Sequence, residues 1–185
     1  ACVEAFLARG AAVVGLDRDP GVAGLFAGDG FLGLVCDVTD DAAIETALHT
    51  ALAAYGGLDM LVLNAGIFPG GCRIEALSRD TWRSVMAVNL DANLSLLRMT
   101  YPLLKRAPRT GRVVVIGSKN VPAPGPGAAA YSASKAALNQ LMRVAALEWG
   151  QDGIRINALH PDAVFDTGLW TDEVLAARAQ HYGLS

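Results

Sequence analysis

The strongest constraint on the fold of this chain is a rhythm. Short apolar runs rich in branched residues, "AAVVGLD", "FLGLVCDV", "LDMLVLNAG", "GRVVVIGS" and "GIRINALHP", are separated by longer stretches of helical periodicity. Runs of this length and composition read as strands covered on both faces. The intervening segments carry their own signals. "DDAAIETALHTALAAYG" opens on acids and stops at Gly56, while "AYSASKAALNQLMRVAALEWG" stops at Gly150. "DTWRSVMAVNLDANLSLLRMTYPLLKR" repeats its apolar positions every three or four residues and predicts one long helix from about Asp80 to Arg106. The alternation predicts an α/β fold, a parallel sheet with helices on both faces. Right-handed crossovers then put the ligand crevice at the carboxyl ends of the strands. The residues just after each strand are therefore the ones to examine for function.

A length of 185 residues suits one domain, and a hydrophobic content of 52% supplies a core and argues against disorder. The net charge of −3 arises from interspersed acids and bases, with no basic stripe, so no nucleic-acid partner is expected. No apolar run approaches the roughly 18 residues of a membrane span and no leader pattern opens the chain, so a cytoplasmic protein without a membrane partner is expected. Cys2, Cys36 and Cys72 are odd in number and lack metal-ligand spacing, which predicts reduced, mostly buried thiols and no metal site.

One constellation stands at a strand end. Ser118 follows "RVVVIG", and thirteen residues on, Tyr131 begins "YSASK", with Lys135 four positions later on the same helix face. By itself a Tyr–Lys pair at this spacing is an ordinary exposed helical pair. With Ser118 at the same rim, three polar groups converge, and the chemistry that fits is oxidation of an alcohol or its reverse. A phenol ionises near pH ~10 in solution, but a neighbouring ammonium favours the phenolate, which makes Tyr131 the expected general base and Lys135 its supporting charge. Ser118 would hydrogen-bond the reacting oxygen while a hydride leaves the same carbon for a nicotinamide. His160 has neither metal spacing nor a serine partner, so a hydrolase triad is not expected.

"YSASK" with its upstream serine, "LNAG" after one strand and "CDVTD" after another resemble the motifs of the short-chain dehydrogenase/reductase family, over nearly the whole chain. The resemblance implies a Rossmann-type doubly wound parallel sheet and a homo-oligomer joined through the long helix and the helix after Tyr131. It also implies that Tyr131 is the catalytic base, Lys135 its partner and a ribose ligand, and Ser118 the hydroxyl that orients substrate. Asn89, in "VNLDAN", resembles the family's fourth member, which distorts its helix locally and holds a water linking the lysine to solvent. Asp17 ends "AAVVGLD", where an acid can accept both hydroxyls of an adenosine ribose and repel a 2′-phosphate. NAD is thus expected over NADP, with Arg18 beside it softening the preference. Asp37 and Val38 resemble the pair that contacts adenine, and Asn64, Ala65 and Gly66 the turn beneath the cofactor.

The pattern also departs from the family. A glycine-rich dinucleotide turn belongs about twenty residues ahead of such an acid, a distance that runs out before residue 1. "ACVEAFLARG" reads as the helix following that turn. The first strand, central in this fold, and the last strand are expected to be absent, making residues 1–185 a single, partial dinucleotide-binding domain of a longer parent. A gap is then expected between the strands ending at Asp17 and near Leu63, with unpaired edges, and activity is expected of the parent rather than of the isolated chain. Leu63 stands where the family usually has a second asparagine, and Asp162 where a glycine follows the proline. Thr167 comes one residue later than the usual nicotinamide-contacting threonine. Pro161 and Thr167 are still the expected contacts on that side of the cofactor.

The proline-rich "KNVPAPGPGAAA" is expected to stiffen the substrate pocket. "DAVFDTGLWTDEVLAARAQHYG" resembles a substrate lid, and Asn120, His160, Phe165 and Trp170 are the nearest candidates to touch substrate. The wording around the site is similar to the dehydrogenase half of bacterial bifunctional aldolase/short-chain dehydrogenases linked to rhamnose breakdown. That resemblance implies an aldolase domain ahead of residue 1 and a small alcohol or aldehyde substrate, lactaldehyde first. The alternatives are an NADP-dependent carbonyl reductase that runs the same residues in reverse, and a catalytically silent nucleotide-sensing or structural relative. The complete set of Ser118, Asn89, Tyr131 and Lys135 argues against the silent relative.

Overall fold

Each of the five apolar runs forms a strand in the computed structural model, which describes residues 1–162, 164 and 171–182. The strands are β1 (Val13–Asp17), β2 (Phe31–Val35), β3 (Met60–Leu63), β4 (Arg112–Ile116) and β5 (Arg155–Leu159). Between and around them lie α1 (Cys2–Leu7), α2 (Asp41–Tyr55), α3 (Arg79–Met86), α4 (Ala92–Leu104), α5 (Ala129–Trp149) and α6 (Asp172–Tyr182). Every strand pairing is parallel, from Val13↔Phe31 to Asp17↔Val35 in β1–β2, and with β4 between β3 and β5. The fold is α/β with parallel strands, as the alternation predicts, and Rossmann-like, as the family resemblance implies.

The strands form two sheets, β1-β2 and β3-β4-β5, and among the described residues no pairing joins β1 to β3. The gap lies between the two strands expected to flank the absent central one. It also corrects the expectation that all strands are covered on both faces. β4, paired on both edges, buries Val113 and Val115 completely, whereas β1 buries no residue and β3 leaves Met60 and Val62 exposed. A strand with one unpaired edge has no neighbour to shield its side chains there. The two sheets nevertheless share one core, in which Leu16 and Leu34 pack against a cluster that includes Ile44, Leu97, Val113 and Leu138.

The helices follow local rules. Asp40 caps α2 by accepting from the Ala42 amide, and Gly56 ends it at φ 77°, a left-handed conformation that favours glycine. α5 buries Ala130, Ser134, Leu138, Met142 and Ala145, a stripe at helical spacing, and packs against β5, α3 and the segment Ala87–Asp91. The predicted long helix is interrupted: α3 and α4 are joined by a π-helical turn over Ala87–Asp91. The cysteines differ from expectation. Cys36 is buried, but Cys72 is half-buried and Cys2 is exposed, because α1 buries none of its residues. No helix among the described residues is long and apolar enough to cross a membrane.

Leu138 carries α5 onto the core and is 1% exposed. Leu138→Ala is expected to lower the unfolding free energy by about 2–5 kcal/mol in urea denaturation, because the site cannot collapse around the lost methyls. A loss well under ~1 kcal/mol would contradict this account of how α5 is held.

Candidate active site

The site is built around a buried cation. Lys135, in the second turn of α5, is 4% exposed, and its Nζ donates to the carbonyl of Ile116, the last residue of β4, at 2.8 Å. Burial pushes its pKa below the ordinary lysine range. The same ammonium lies 5.9 Å from the centroid of the Tyr131 ring, and Phe68 packs against that ring nearly edge-on at 5.3 Å. Tyr131 is half-buried. The Cys72 amide donates to the Gly127 carbonyl, which ties the loop after β3 to the entrance of α5 and so sets where Tyr131 begins.

Ser118 lies two residues past β4, so one strand end supplies both the Lys135 acceptor and the serine. Ser118 is 7% exposed, and its Oγ accepts from the Asn120 amide at 3.1 Å. His160, just past β5, sits against its backbone, with Nδ1 3.2 Å from the Ser118 nitrogen and 3.1 Å from its carbonyl oxygen. The ring fits there because residue 117 is glycine: a Cβ on Gly117 would lie 2.4 Å from Nδ1.

Asn89 occupies the centre of the π-helical turn and is fully buried. Its Oδ1 accepts from the Ile67 amide at 2.8 Å, and its Nδ2 donates to the Ile67 carbonyl and to Ser134 Oγ. Ser134 Oγ in turn donates to the Tyr131 carbonyl at 2.7 Å. A chain of bonds thus runs from the loop after β3, through Asn89, to the first turn of α5. The sequence reading missed two supporting residues, Ser134 and Asn93. Asn93 Nδ2 donates to the Asn89 carbonyl at 2.9 Å and approaches that of Val88, satisfying backbone groups that the π spacing releases. The available signal was "VNLDAN" itself, two asparagines four apart on one helix face.

The other expected cofactor residues also lie past strand ends. Asp17 is the last residue of β1, exposed, with Oδ1 accepting from the Asp19 amide. Asp37 lies two residues past β2, and the Thr39 amide and hydroxyl that donate to its Oδ1 hold it below the usual carboxylate range. Val38 packs against the core. In the loop after β3, Asn64 and Gly66 are exposed and Ala65 is half-buried. A Cβ on Gly66 would lie 3.4 Å from both Asn89 Oδ1 and Lys135 Nζ, so this loop lies close against both. The Pro161 carbonyl accepts from the Lys119 amide, and Asn120 Nδ2 donates to Ser132 Oγ. Thr167, Phe165 and Trp170 lie outside the described residues. Among the described residues no group of His, Cys, Asp and Glu side chains is arranged to hold a metal.

The family model for short chain dehydrogenase matches residues 1–176, and the chain belongs to that family. An uncharacterized NAD-dependent oxidoreductase of Mycobacterium tuberculosis (strain ATCC 25618 / H37Rv) is 34% identical over 147 residues, which cover 80% of this chain and 53% of that protein. The uncharacterized oxidoreductase YuxG of Bacillus subtilis (strain 168) is 35% identical over 149 residues, again 80% of this chain but 22% of that protein. The crystal structure of a 3-ketoacyl-(acyl-carrier-protein) reductase from Brucella melitensis complexed with NADH matches with a TM-score of 0.82 at 28% identity, over 87% of this chain and 69% of that one. The chain therefore spans about half, or less, of the length of these curated relatives.

Because its pKa is depressed on folding, Lys135 binds a proton less readily in the native state than in the unfolded chain. Between its native pKa and the unfolded value of about 10.4, the unfolded chain holds more protons, so this residue makes stability rise with pH. Lys135→Met is expected to remove that part of the rise when urea denaturation is followed from neutral to alkaline pH. A variant with the wild-type pH slope would contradict the desolvated environment.

Proposed function

We propose that the full-length protein carrying this chain is an NAD-dependent oxidoreductase that interconverts a small alcohol and its carbonyl compound. The observation that carries the reading is a buried ammonium beside a tyrosine ring. Burying a cation costs free energy, and a desolvated lysine with a depressed pKa beside a titratable tyrosine is a mark of working chemistry. Bound NAD supplies the acceptor for the hydride. Tyr131 takes the hydroxyl proton as the carbonyl forms, and the Lys135 charge stabilises the negative charge that develops on the phenolic oxygen. Ser118 Oγ holds the reacting oxygen in line with that transfer. Asn89 fixes the loop after β3 against the start of α5.

The residues present suit the cofactor. The exposed Asp17 carboxylate at the end of β1 fits a ribose diol and disfavours a 2′-phosphate. Gly66, without a side chain, lets the loop after β3 lie close to Lys135. Asp37, Val38, Asn64, Ala65, Pro161 and Thr167 complete the proposed cofactor set. NAD is also the cofactor in the description of the Mycobacterium relative, and the Brucella structure contains NADH. In this reading the glycine-rich loop and the strand that would pair with β1 and β3 belong to the rest of the full-length protein.

The cavity beside Tyr131 is lined by Phe68, Cys72, Leu77, Val85 and Ala130 among others, with no charged side chain. The absence of charge in that lining favours an uncharged substrate; lactaldehyde is the first to test, entering as its hydrate, a geminal alcohol whose loss of a hydride and a proton yields the acid. An aldolase domain in the same chain would release such a product, and the match to YuxG, a small share of a much longer protein, is compatible with one. Leu94 on α4 and Val144 and Leu147 on α5 are exposed apolar residues that support a homo-oligomer through these helices.

Incubating the full-length protein with NAD and a panel of small aldehydes and polyols is expected to produce NADH with at least one of them. Tyr131→Phe should reduce that turnover by about 100-fold or more while NADH binding, read by fluorescence, persists. Undiminished turnover in the variant would contradict the assignment of Tyr131. NAD binding without turnover of any substrate by the wild type would favour a nucleotide-sensing relative.

A further inference from the structure

The residues that leave β5 run alongside those that leave β4 and are joined to them one after another. The Gly117 amide donates to the Leu159 carbonyl at 2.7 Å, and the Lys119 amide to the Pro161 carbonyl at 3.0 Å. Between these two bonds, His160 Nδ1 rests on the Ser118 backbone. The seam ends in an ion pair, Lys119 Nζ to Asp162 Oδ1 at 2.5 Å. The two amide bonds use only backbone, which most sequences could supply. The ion pair depends on two particular side chains, one directly after Ser118 and the other directly after Pro161.

The turn that presents the serine hangs from this point. The Val121 amide donates to the Ser118 carbonyl, the Ala123 amide to the Lys119 carbonyl, and the Asn120 amide to Ser118 Oγ itself. A displacement of Lys119 therefore moves the groups that aim the Ser118 hydroxyl. We propose that Lys119 and Asp162 are positioning residues: their ion pair clamps the loop after β4 to the loop after β5 and so fixes the direction of Ser118 Oγ. The inference rests on the alcohol–carbonyl reading above and adds to it a link between the serine loop and the loop carrying Pro161. The Lys119 side chain is 32% exposed and that of Asp162 67%. A pair this open contributes little to global stability, so its effect is local.

The test uses the full-length protein and the variants Asp162→Asn and Lys119→Met, each in the wild-type background and with Ser118→Ala. In the wild-type background each is expected to lower kcat/KM for the alcohol about three- to fivefold, the most that an ion pair of this exposure supports, with NADH affinity unchanged. Without cofactor, hydrogen exchange at the amides of residues 118–121 and of Ala123 should accelerate in both. In the Ser118→Ala background the same substitutions should leave kcat/KM within about 1.5-fold, because the group they aim is gone. An equal loss in both backgrounds would overturn the proposal, since the residues would then act other than through Ser118. Unaltered exchange and turnover in the single variants would overturn the clamp itself. If the wild type turns over no alcohol, the functional reading fails and the positioning role falls with it, whereas exchange still reports whether the clamp exists.

Discussion

A lysine ammonium cannot sit in a protein interior without a partner and a purpose in the packing around it, and much of this structure is arranged about that constraint. Lys135 is nearly sealed from solvent and donates to the carbonyl of Ile116, at the end of β4, which among the described residues is the strand paired on both edges. The bond fixes the rotation of α5 about its axis, and with it the position of Tyr131 one turn earlier. The same strand end carries Ser118 two residues later. A single hydrogen bond thus sets helix, strand end and candidate catalytic serine in one frame, while the core residue Leu138, one turn further on the same buried face, holds the helix down.

The second layer of the site is a set of buried amides and hydroxyls with every partner accounted for. No buried side-chain nitrogen or oxygen among the described residues lacks a hydrogen bond. The π-helical turn turns Asn89 toward the loop after β3, at the cost of regular helix bonding, and Asn93 takes up the carbonyls released. Ser134 then passes the connection to the Tyr131 backbone. Such networks are rigid because each member is satisfied only in one arrangement. That rigidity is what a reaction needing three groups in register demands.

Much of this was legible in the sequence. The five strands and the helices opening at Asp41 and Ala129 follow from apolar periodicity and from glycine or acidic boundaries, which are local signals. Tyr131 and Lys135 follow from a spacing of four, and Ser118 from its place after a strand. The π-helical turn was not readable from propensity, because Ala87–Asp91 is an ordinary helical sequence whose extra residue is favoured by bonds to Ile67 and Ser134, far away in the chain. Partial strand burial was missed for a similar reason. "AAVVGLD" has the composition of a covered strand, yet whether it is covered depends on a neighbouring strand along β1's free edge. His160 reads from the sequence only as a candidate to touch substrate; the contact of its ring with the Ser118 backbone, in space left open by the missing side chain at Gly117, joins two loops far apart in the chain and has no local signal.

The central claim is that these groups direct a hydride from an alcohol carbon to a nicotinamide. It is tested most directly by giving the full-length protein NAD and candidate alcohols deuterated at the reacting carbon, and weighing the reduced cofactor by mass spectrometry. The account predicts that one deuterium appears in the cofactor for each molecule of carbonyl formed. Carbonyl formation without label in the cofactor, or cofactor binding with no product from any alcohol, would contradict it.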